Sequence, residues 1–189
     1  SLQAKTCLGM SSSIQLHDLR FKPYLSKEQI ETRVREIAKQ LTDEYSGKQP
    51  VFLVMLKGAF VFATDLLRYY EGFPEISFVR TRSYSGTSST HEVEIILGPT
   101  PEEVTGRDII IVEDIVDSGY TMDRFLPLLQ AQNPNSICLV TLLFKPEMLE
   151  KDIKMDHIGF SIPPKFVVGY GLDYDGLGRN LDAIYQLED

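Results

Sequence analysis

The chain has 189 residues, enough to bury a core without disulfide or metal staples. Hydrophobic residues make up 43% and charged residues 24%, ordinary proportions for a globular domain that argue against extended disorder. A net charge of −8 disfavours nucleic acid as a partner, and no apolar run approaches the roughly 20 residues a membrane span needs.

Two cysteines, Cys7 and Cys138, are too few for a disulfide framework, and Cys138 sits in an apolar run that reads as core. The chain does not open on a cationic segment followed by a long apolar stretch, so a cytoplasmic location is expected. The first dozen residues, running into Ser11-Ser12-Ser13, are expected to lack regular structure.

The first clear element starts at Ser26. Ser26 and Gln29 form a capping-box pattern, and Ile30, Val34, Ile37 and Leu41 then fall on one helical face. Val51 to Leu56 is a continuous apolar run of the kind found in buried parallel strands. Lys57-Gly58 breaks it, and Ala59 to Tyr70 reads as a second helix. Ile76 to Val79 predicts another strand, Ser83 to Thr90 a polar mobile loop, and Glu92 to Leu97 a return strand with alternating apolar residues. Asp108 to Val112 predicts a third buried strand, about Thr121 to Gln132 a helix, and Ser136 to Phe144 a fourth buried strand. This order implies an α/β fold: a mostly parallel twisted sheet flanked by helices. After Lys145 the texture becomes short and proline-rich. The expectation is one domain over 1–189, with a core of about 26–145 and a small hood lobe built from the N-terminal stretch and about 146–189.

Ligands of such sheets sit at the carboxyl ends of the strands. The residues to inspect are therefore Lys57-Gly58, Lys145 and above all Val112 to Thr121, read as Val-Glu-Asp-Ile-Val-Asp-Ser-Gly-Tyr-Thr. Two adjacent carboxylates, Glu113 and Asp114, end a strand, and a turn with Asp117, Ser118 and Gly119 opens a helix. Amides at a helix start bind phosphate, and glycine allows close approach. The carboxylates can accept hydrogen bonds from vicinal hydroxyls or hold Mg²⁺. An acidic strand end with a plain Ser-Gly turn is the alternative. Neither the P-loop pattern nor the dinucleotide glycine fingerprint occurs.

Val112 to Thr121 closely resembles the motif that type I phosphoribosyltransferases use for phosphoribosyl pyrophosphate (PRPP). Leu56-Lys57-Gly58 resembles the pyrophosphate loop of the hypoxanthine-guanine branch, and Arg82-Ser83-Tyr84 with the loop behind it that branch's catalytic lid. Phe144-Lys145 and Lys165 to Tyr174 resemble its purine-reading segments, so the likeness runs from about Ser26 to the C-terminus. Tyr120 departs from the lysine, small or apolar residue common at its position, and His91 from a lid glycine.

The resemblance implies a salvage enzyme that transfers phosphoribose from PRPP to N9 of hypoxanthine or guanine, giving IMP or GMP and pyrophosphate. It assigns the PRPP ribose to Glu113 and Asp114, and the 5′-phosphate to Ser118, Gly119, Tyr120 and Thr121. Asp117 is placed as proton acceptor beside the purine, with Ser83 and Tyr84 of the lid as further catalytic residues. Pyrophosphate falls to Lys57, Gly58 and Arg179, with the peptide before Lys57 often cis in relatives. Purine binding falls to Lys145 at the 6-oxo group, Phe166 stacking, and Val167 and Asp173 at the 2-position. Mg²⁺ is implied, held by Glu113, Asp114 and Asp173 largely through water and substrate, and a homodimer or homotetramer is expected. His17 and His157 show no ligand spacing and are read as structural.

Two rivals belong to other classes. A PRPP-sensing regulator would be expected to carry a basic nucleic-acid face or an added domain. A phospho-acceptor receiver needs early paired carboxylates, whereas Leu53-Val54-Met55-Leu56 is followed by lysine. Xanthine preference is the alternative within the enzyme class.

Overall fold

The structure is a computed structural model that describes residues 12–84 and 92–189. Two sheets organise it. The larger contains β3 (Val51–Leu56), β4 (Glu75–Tyr84), β5 (Glu92–Leu97), β6 (Asp108–Val116), β7 (Ser136–Phe144) and β8 (His157–Ser161), in the order β5-β4-β3-β6-β7-β8. All neighbours are parallel except the β4–β5 hairpin. Helices α1 (Lys27–Glu44), α2 (Phe60–Tyr69), α3 (Pro101–Val104) and α4 (Tyr120–Gln130) connect them. The smaller sheet is antiparallel: β1 (Ile14–Leu16), β2 (Leu19–Leu25), β10 (Ile184–Leu187) and β9 (Val167–Val168), in the order β1-β2-β10-β9.

The large sheet forms because its central strands bury both faces. Residues 51–55 of β3 and Ile109 to Val112 of β6 are all buried, the signature of parallel strands covered on two sides. Helix α1 begins with the expected capping box: Ser26 Oγ accepts from the Gln29 amide at 3.1 Å, and the Ser26 amide donates to Gln29 Oε1 at 2.9 Å. Its face of Ile30, Val34, Ile37, Ala38 and Leu41 enters the core.

Three elements differ from the sequence expectation. The third strand does not end at Val112. It runs through both carboxylates to Val116, pairing Glu113 with Thr141 and Val116 with Phe144 of β7. Strand β8, in the segment assigned to the hood, pairs with β7 as the outer strand of the large sheet. The N-terminal stretch holds two strands, and β2 lies at the middle of the small sheet between β1 and β10. The first eleven residues and 85–91, including most of the expected lid and His91, lie outside the described residues.

Chain direction across the large sheet reverses between β3 and β6: from β3 the chain moves outward to β4 and β5, and from β6 outward to β7 and β8. A crevice at such a switch point opens beyond the strands' carboxyl ends. The residues that follow β3 and β6 there are Lys57-Gly58 and Asp117 to Thr121. No helix among the described residues is long and apolar enough to cross a membrane.

Candidate active site

A cleft of about 270 Å³ occupies the switch point, lined by Met55 and Leu56 of β3, Thr81 of β4 and the whole run from Glu113 to Met122. Ligand pockets commonly span roughly 300–1,000 Å³, so a cleft of this size suits a sugar phosphate. Met55 and Thr81 escaped sequence reasoning because apolar and hydroxyl residues within strands carry no chemical signal until the strands are paired.

Glu113 is buried and Asp114 partly so. Burial is the first cause that pushes the Glu113 carboxyl well above its ordinary value, and the Asp114 charge adds to it. Burial likewise raises Asp114, opposed by its hydrogen bonds and by the charge of Arg179. Glu113 Oε1 accepts from the Asp114 amide at 3.0 Å and Asp114 Oδ1 from the Ile115 amide at 2.7 Å. Two carboxyls held together with no ion-paired cation among the described residues fit a divalent cation or a set of hydroxyl donors.

Beyond β6 the chain turns outward. Asp117 is exposed, and its Oδ1 accepts from the Ser118 amide at 2.6 Å. Gly119 is the N-cap of α4 at φ 85°, and α4 begins at Tyr120, so the amides of the first turn face the cleft as an anion site. Tyr120, the departure from the family pattern, ties this turn to the segment after β7. Its hydroxyl donates to Glu150 Oε2 at 2.8 Å, Lys151 Nζ lies 5.0 Å from its ring centroid, and the Glu150 amide donates to the Ser118 carbonyl at 3.0 Å. Thr121 follows in the first helical turn and lines the same cleft.

The loop after β3 is pressed against these groups. The Leu56–Lys57 peptide is cis, and Lys57 is exposed. A Cβ on Gly58 would land on the Asp114 carboxylate, so a larger residue would have to displace that side chain. From the hood side, a Cβ on Gly171 would land on the Gly58 carbonyl, and Gly171 itself sits at φ 99°. The signal for Gly171 was its place in Gly169-Tyr170-Gly171, two glycines around an aromatic. Tyr170 between them donates to Asp65 Oδ2 of α2 at 2.6 Å, pinning the hood loop to the core.

Arg179 holds the other side of that loop. Nη1 donates to the Gly171 carbonyl at 2.7 Å and Nη2 pairs with Asp173 Oδ1 at 2.9 Å. Asp173 Oδ2 accepts from the Gly176 amide at 2.7 Å. In this state Asp173 is therefore committed to Arg179 and a turn, and a metal would reach it only through water or after this pair opens.

Lys145 begins just past β7, and its amide donates to the Val116 carbonyl at 3.0 Å. Burial lowers its ammonium below the ordinary value, while the facing Asp117 charge acts to hold the proton. Phe166 is 42% exposed, with Phe21 at 5.9 Å and Tyr174 at 5.8 Å between ring centroids, which leaves one surface of the ring for a flat ligand. Val167 is buried in β9. The sequence-named residues thus form two groups. Lys57, Gly58, Glu113, Asp114, Asp117 to Thr121 and Lys145 stand on the core rim; Phe166, Val167, Asp173 and Arg179 belong to the hood, joined to the rim through Gly171 and Gly58. Ser83 and Tyr84 end β4 opposite Val93 and Glu92, and their side chains lie outside the described residues.

Comparison with known proteins agrees with this geometry. Residues 22–175 match the family model described as a phosphoribosyl transferase domain. The chain is 43% identical over 169 residues to the hypoxanthine-guanine phosphoribosyltransferase of Bacillus subtilis, covering 89% of this chain and 93% of that protein. It is 40% identical over 163 residues to the hypoxanthine phosphoribosyltransferase of Escherichia coli, covering 85% and 91%. It also matches the bifunctional protein TilS/HprT of Listeria monocytogenes at 41% identity, but spans only 26% of that longer protein. Among solved structures, a hypoxanthine phosphoribosyltransferase from Staphylococcus aureus superposes with a TM-score of 0.82 at 40% identity, covering 88% of this chain and 91% of that one. The switch-point crevice, the acidic end of β6 and these matches together place the chain in the phosphoribosyltransferase family, within its hypoxanthine-guanine branch.

Proposed function

We propose that the protein transfers 5-phosphoribose from PRPP to N9 of hypoxanthine or guanine, with Mg²⁺, releasing pyrophosphate. The observation that carries this reading is the junction of β3 and β6. Paired carboxyls, a helix-start amide turn and a glycine loop converge on one cleft, and each suits a different part of PRPP.

In this reading Glu113 and Asp114 accept from the ribose hydroxyls, and the amides and hydroxyls of Ser118 to Thr121 hold the 5′-phosphate. Lys57, the Gly58 backbone and Arg179 meet the pyrophosphate. Glu113, Asp114 and, through water, Asp173 would hold Mg²⁺, which would supply charge neutralisation for the leaving group when bound. The C1′–O bond to pyrophosphate lengthens as the purine N9 approaches, giving an oxocarbenium-like transition state. Lys57 and Arg179 stabilise the negative charge that grows on pyrophosphate. Asp117 takes up the purine proton. Lys145 donates to the 6-oxo group, which accepts 6-oxopurines and rejects adenine, whose 6-amino group is itself a donor. Phe166 stacks on the base, and the Val167 backbone and Asp173 face its 2-position. Ser83 and Tyr84 serve as further catalytic residues in a reaction from which water must be excluded.

Copies of the chain are proposed to associate through the apolar face shared by α2 and β4. Phe60, Ile76 and Phe78 are 42%, 47% and 45% exposed there, beside Val54, Ala63 and Leu67. Contiguous exposed apolar residues of this kind mark contact surfaces.

The deciding experiment offers PRPP and Mg²⁺ with hypoxanthine, guanine, xanthine or adenine separately and follows nucleotide formation by ultraviolet absorbance. Turnover with hypoxanthine and guanine but not adenine is expected, and the xanthine rate sets the specificity at the 2-position. PRPP binding with no turnover on any base would instead identify a PRPP-responsive regulator.

A further inference from the structure

A second constellation of donor atoms lies at the opposite end of the large sheet from the cleft. Cys138 is the third residue of β7, His157 the first of β8 and Glu44 the last of α1. Their ligand atoms all lie within 4.8 Å of one another. Sequence spacing hides the set, because Cys138 lies 94 positions after Glu44 and His157 a further 19 positions on. Only the packing of the end of α1 across the β7–β8 edge assembles it.

The imidazole is held on both sides. Nδ1 lies 3.1 Å from Gln40 Oε1 and Nε2 3.1 Å from Glu44 Oε2. With Nδ1–H donating to Gln40, Nε2 is left to bind a cation beside Glu44; metal-bound histidines are oriented in this way, by an acceptor on the far nitrogen. The 3.1 Å separation is also close to the roughly 3.3 Å between N and O donors about 2.0–2.2 Å from a tetrahedral ion.

The rest of the environment suits a borderline-soft divalent ion. The Cys138 thiol is buried, and the Asp156 carboxylate accepts from the amide of the next residue, Leu139, at 2.8 Å. The His157 side chain is 9% exposed and that of Glu44 is 49% exposed, so the set is closed on the sulfur side and open to solvent at the carboxylate. An ion could enter there and keep a water as its fourth ligand. Oxygen-preferring Mg²⁺ has no use for a thiol and an imidazole, whereas Zn²⁺ takes both.

We propose that Glu44, Cys138 and His157 form a Zn²⁺-type site that clamps the C-terminal end of α1 to the β7–β8 edge, separate from the Mg²⁺-dependent cleft. Binding forms a metal–thiolate bond and releases the thiol proton to solvent.

Co²⁺ is the probe, because a thiolate ligand gives it an intense near-ultraviolet charge-transfer band that carboxylate sites cannot produce. The full chain carrying Cys7→Ser, so that Cys138 is the one thiol, would be stripped with EDTA and titrated with Co²⁺ without oxygen. The expected result is a band that saturates at one equivalent and is displaced by Zn²⁺. Cys138→Ala should abolish it, and His157→Gln and Glu44→Gln should each weaken binding at least about tenfold. Glu44 is half exposed, so Glu44→Gln leaves the core intact and keeps the test decisive if Cys138→Ala folds poorly. No thiolate band, or a band of unchanged affinity in His157→Gln and Glu44→Gln, overturns the site.

Discussion

At the scale of single residues, the chemistry of the cleft sets function against stability. Glu113 is raised by burial and by Asp114. A carboxyl whose folded pKa is raised contributes fully below its unfolded value, and that contribution is lost as pH rises through the folded value. Above the unfolded value the buried carboxyl therefore costs the ligand-free protein stability. Glu113→Gln should raise the ligand-free Tm at pH 7 by a few degrees, taking about 1 kcal/mol as 2–4 °C for a chain of this size. The gain should vanish below about pH 4, where the wild-type carboxyl is protonated in both states, and PRPP affinity should fall. Thermal melts at the two pH values check this; a lower Tm at pH 7 would mean that the carboxylate is compensated even without substrate. Lys145 is the matching case for specificity. Lys145→Gln should lower kcat/KM for hypoxanthine by about 10–100-fold, the equivalent of one charge-assisted hydrogen bond of roughly 1.5–3 kcal/mol. The loss with adenine as substrate should be smaller. Steady-state rates on both bases measure it, and equal losses would move Lys145 away from the 6-position.

At the scale of elements, the cleft depends on strand ends reaching farther than their apolar runs suggest. Val51–Leu56 was legible to the residue because its burial leaves an unbroken apolar run, and Ser136–Phe144 because only Thr141 interrupts the apolar residues after Ser136. The end of β6 was not legible. Glu113 and Asp114 break the apolar run, but β7 supplies ladder partners through Val116, so pairing overrides local polarity. The Gly58 loop depends on the same contact. In Gly58→Ala, the new methyl meets the Asp114 carboxylate, which has backbone hydrogen bonds to lose if it moves. Overpacking of this kind costs about 1–3 kcal/mol. PRPP binding should weaken by at least an order of magnitude with the secondary structure unchanged, as read by calorimetry and circular dichroism. Unaltered PRPP affinity would show that the loop and Asp114 separate freely when substrate binds.

At the scale of the whole molecule, specific contacts join the hood to the core. Tyr170 with Asp65 and Gly171 against Gly58 are the named ones, and Arg179 with Asp173 braces the hood loop from within. The first two bring together residues that lie far apart along the chain. The apolar face of α2 and β4 acts at the same scale. Phe78→Glu puts a charge in the middle of that face, and a protein that associates through it should elute as a monomer by light scattering. An unchanged mass would send the search for the contact elsewhere on the surface. Of the residues assigned from the sequence, those on the core rim needed only strand order to be placed, whereas Phe166, Val167, Asp173 and Arg179 needed the hood.

What the amino-acid order settled alone is whatever short-range physics decides. The apolar runs made the parallel strands, the capping box started α1, and the acid-rich turn before α4 marked the cleft, because burial, capping and amide–anion geometry are local. Tertiary structure decided the rest. It placed β8 beside β7 and β2 in the small sheet, extended β6 beneath its carboxylates, brought the glycines at positions 58 and 171 against distant groups, and gathered Glu44, Cys138 and His157. Each of these depends on groups distant in sequence meeting at van der Waals or hydrogen-bond range. Such meetings arise only when hydrophobic burial has closed the chain upon itself.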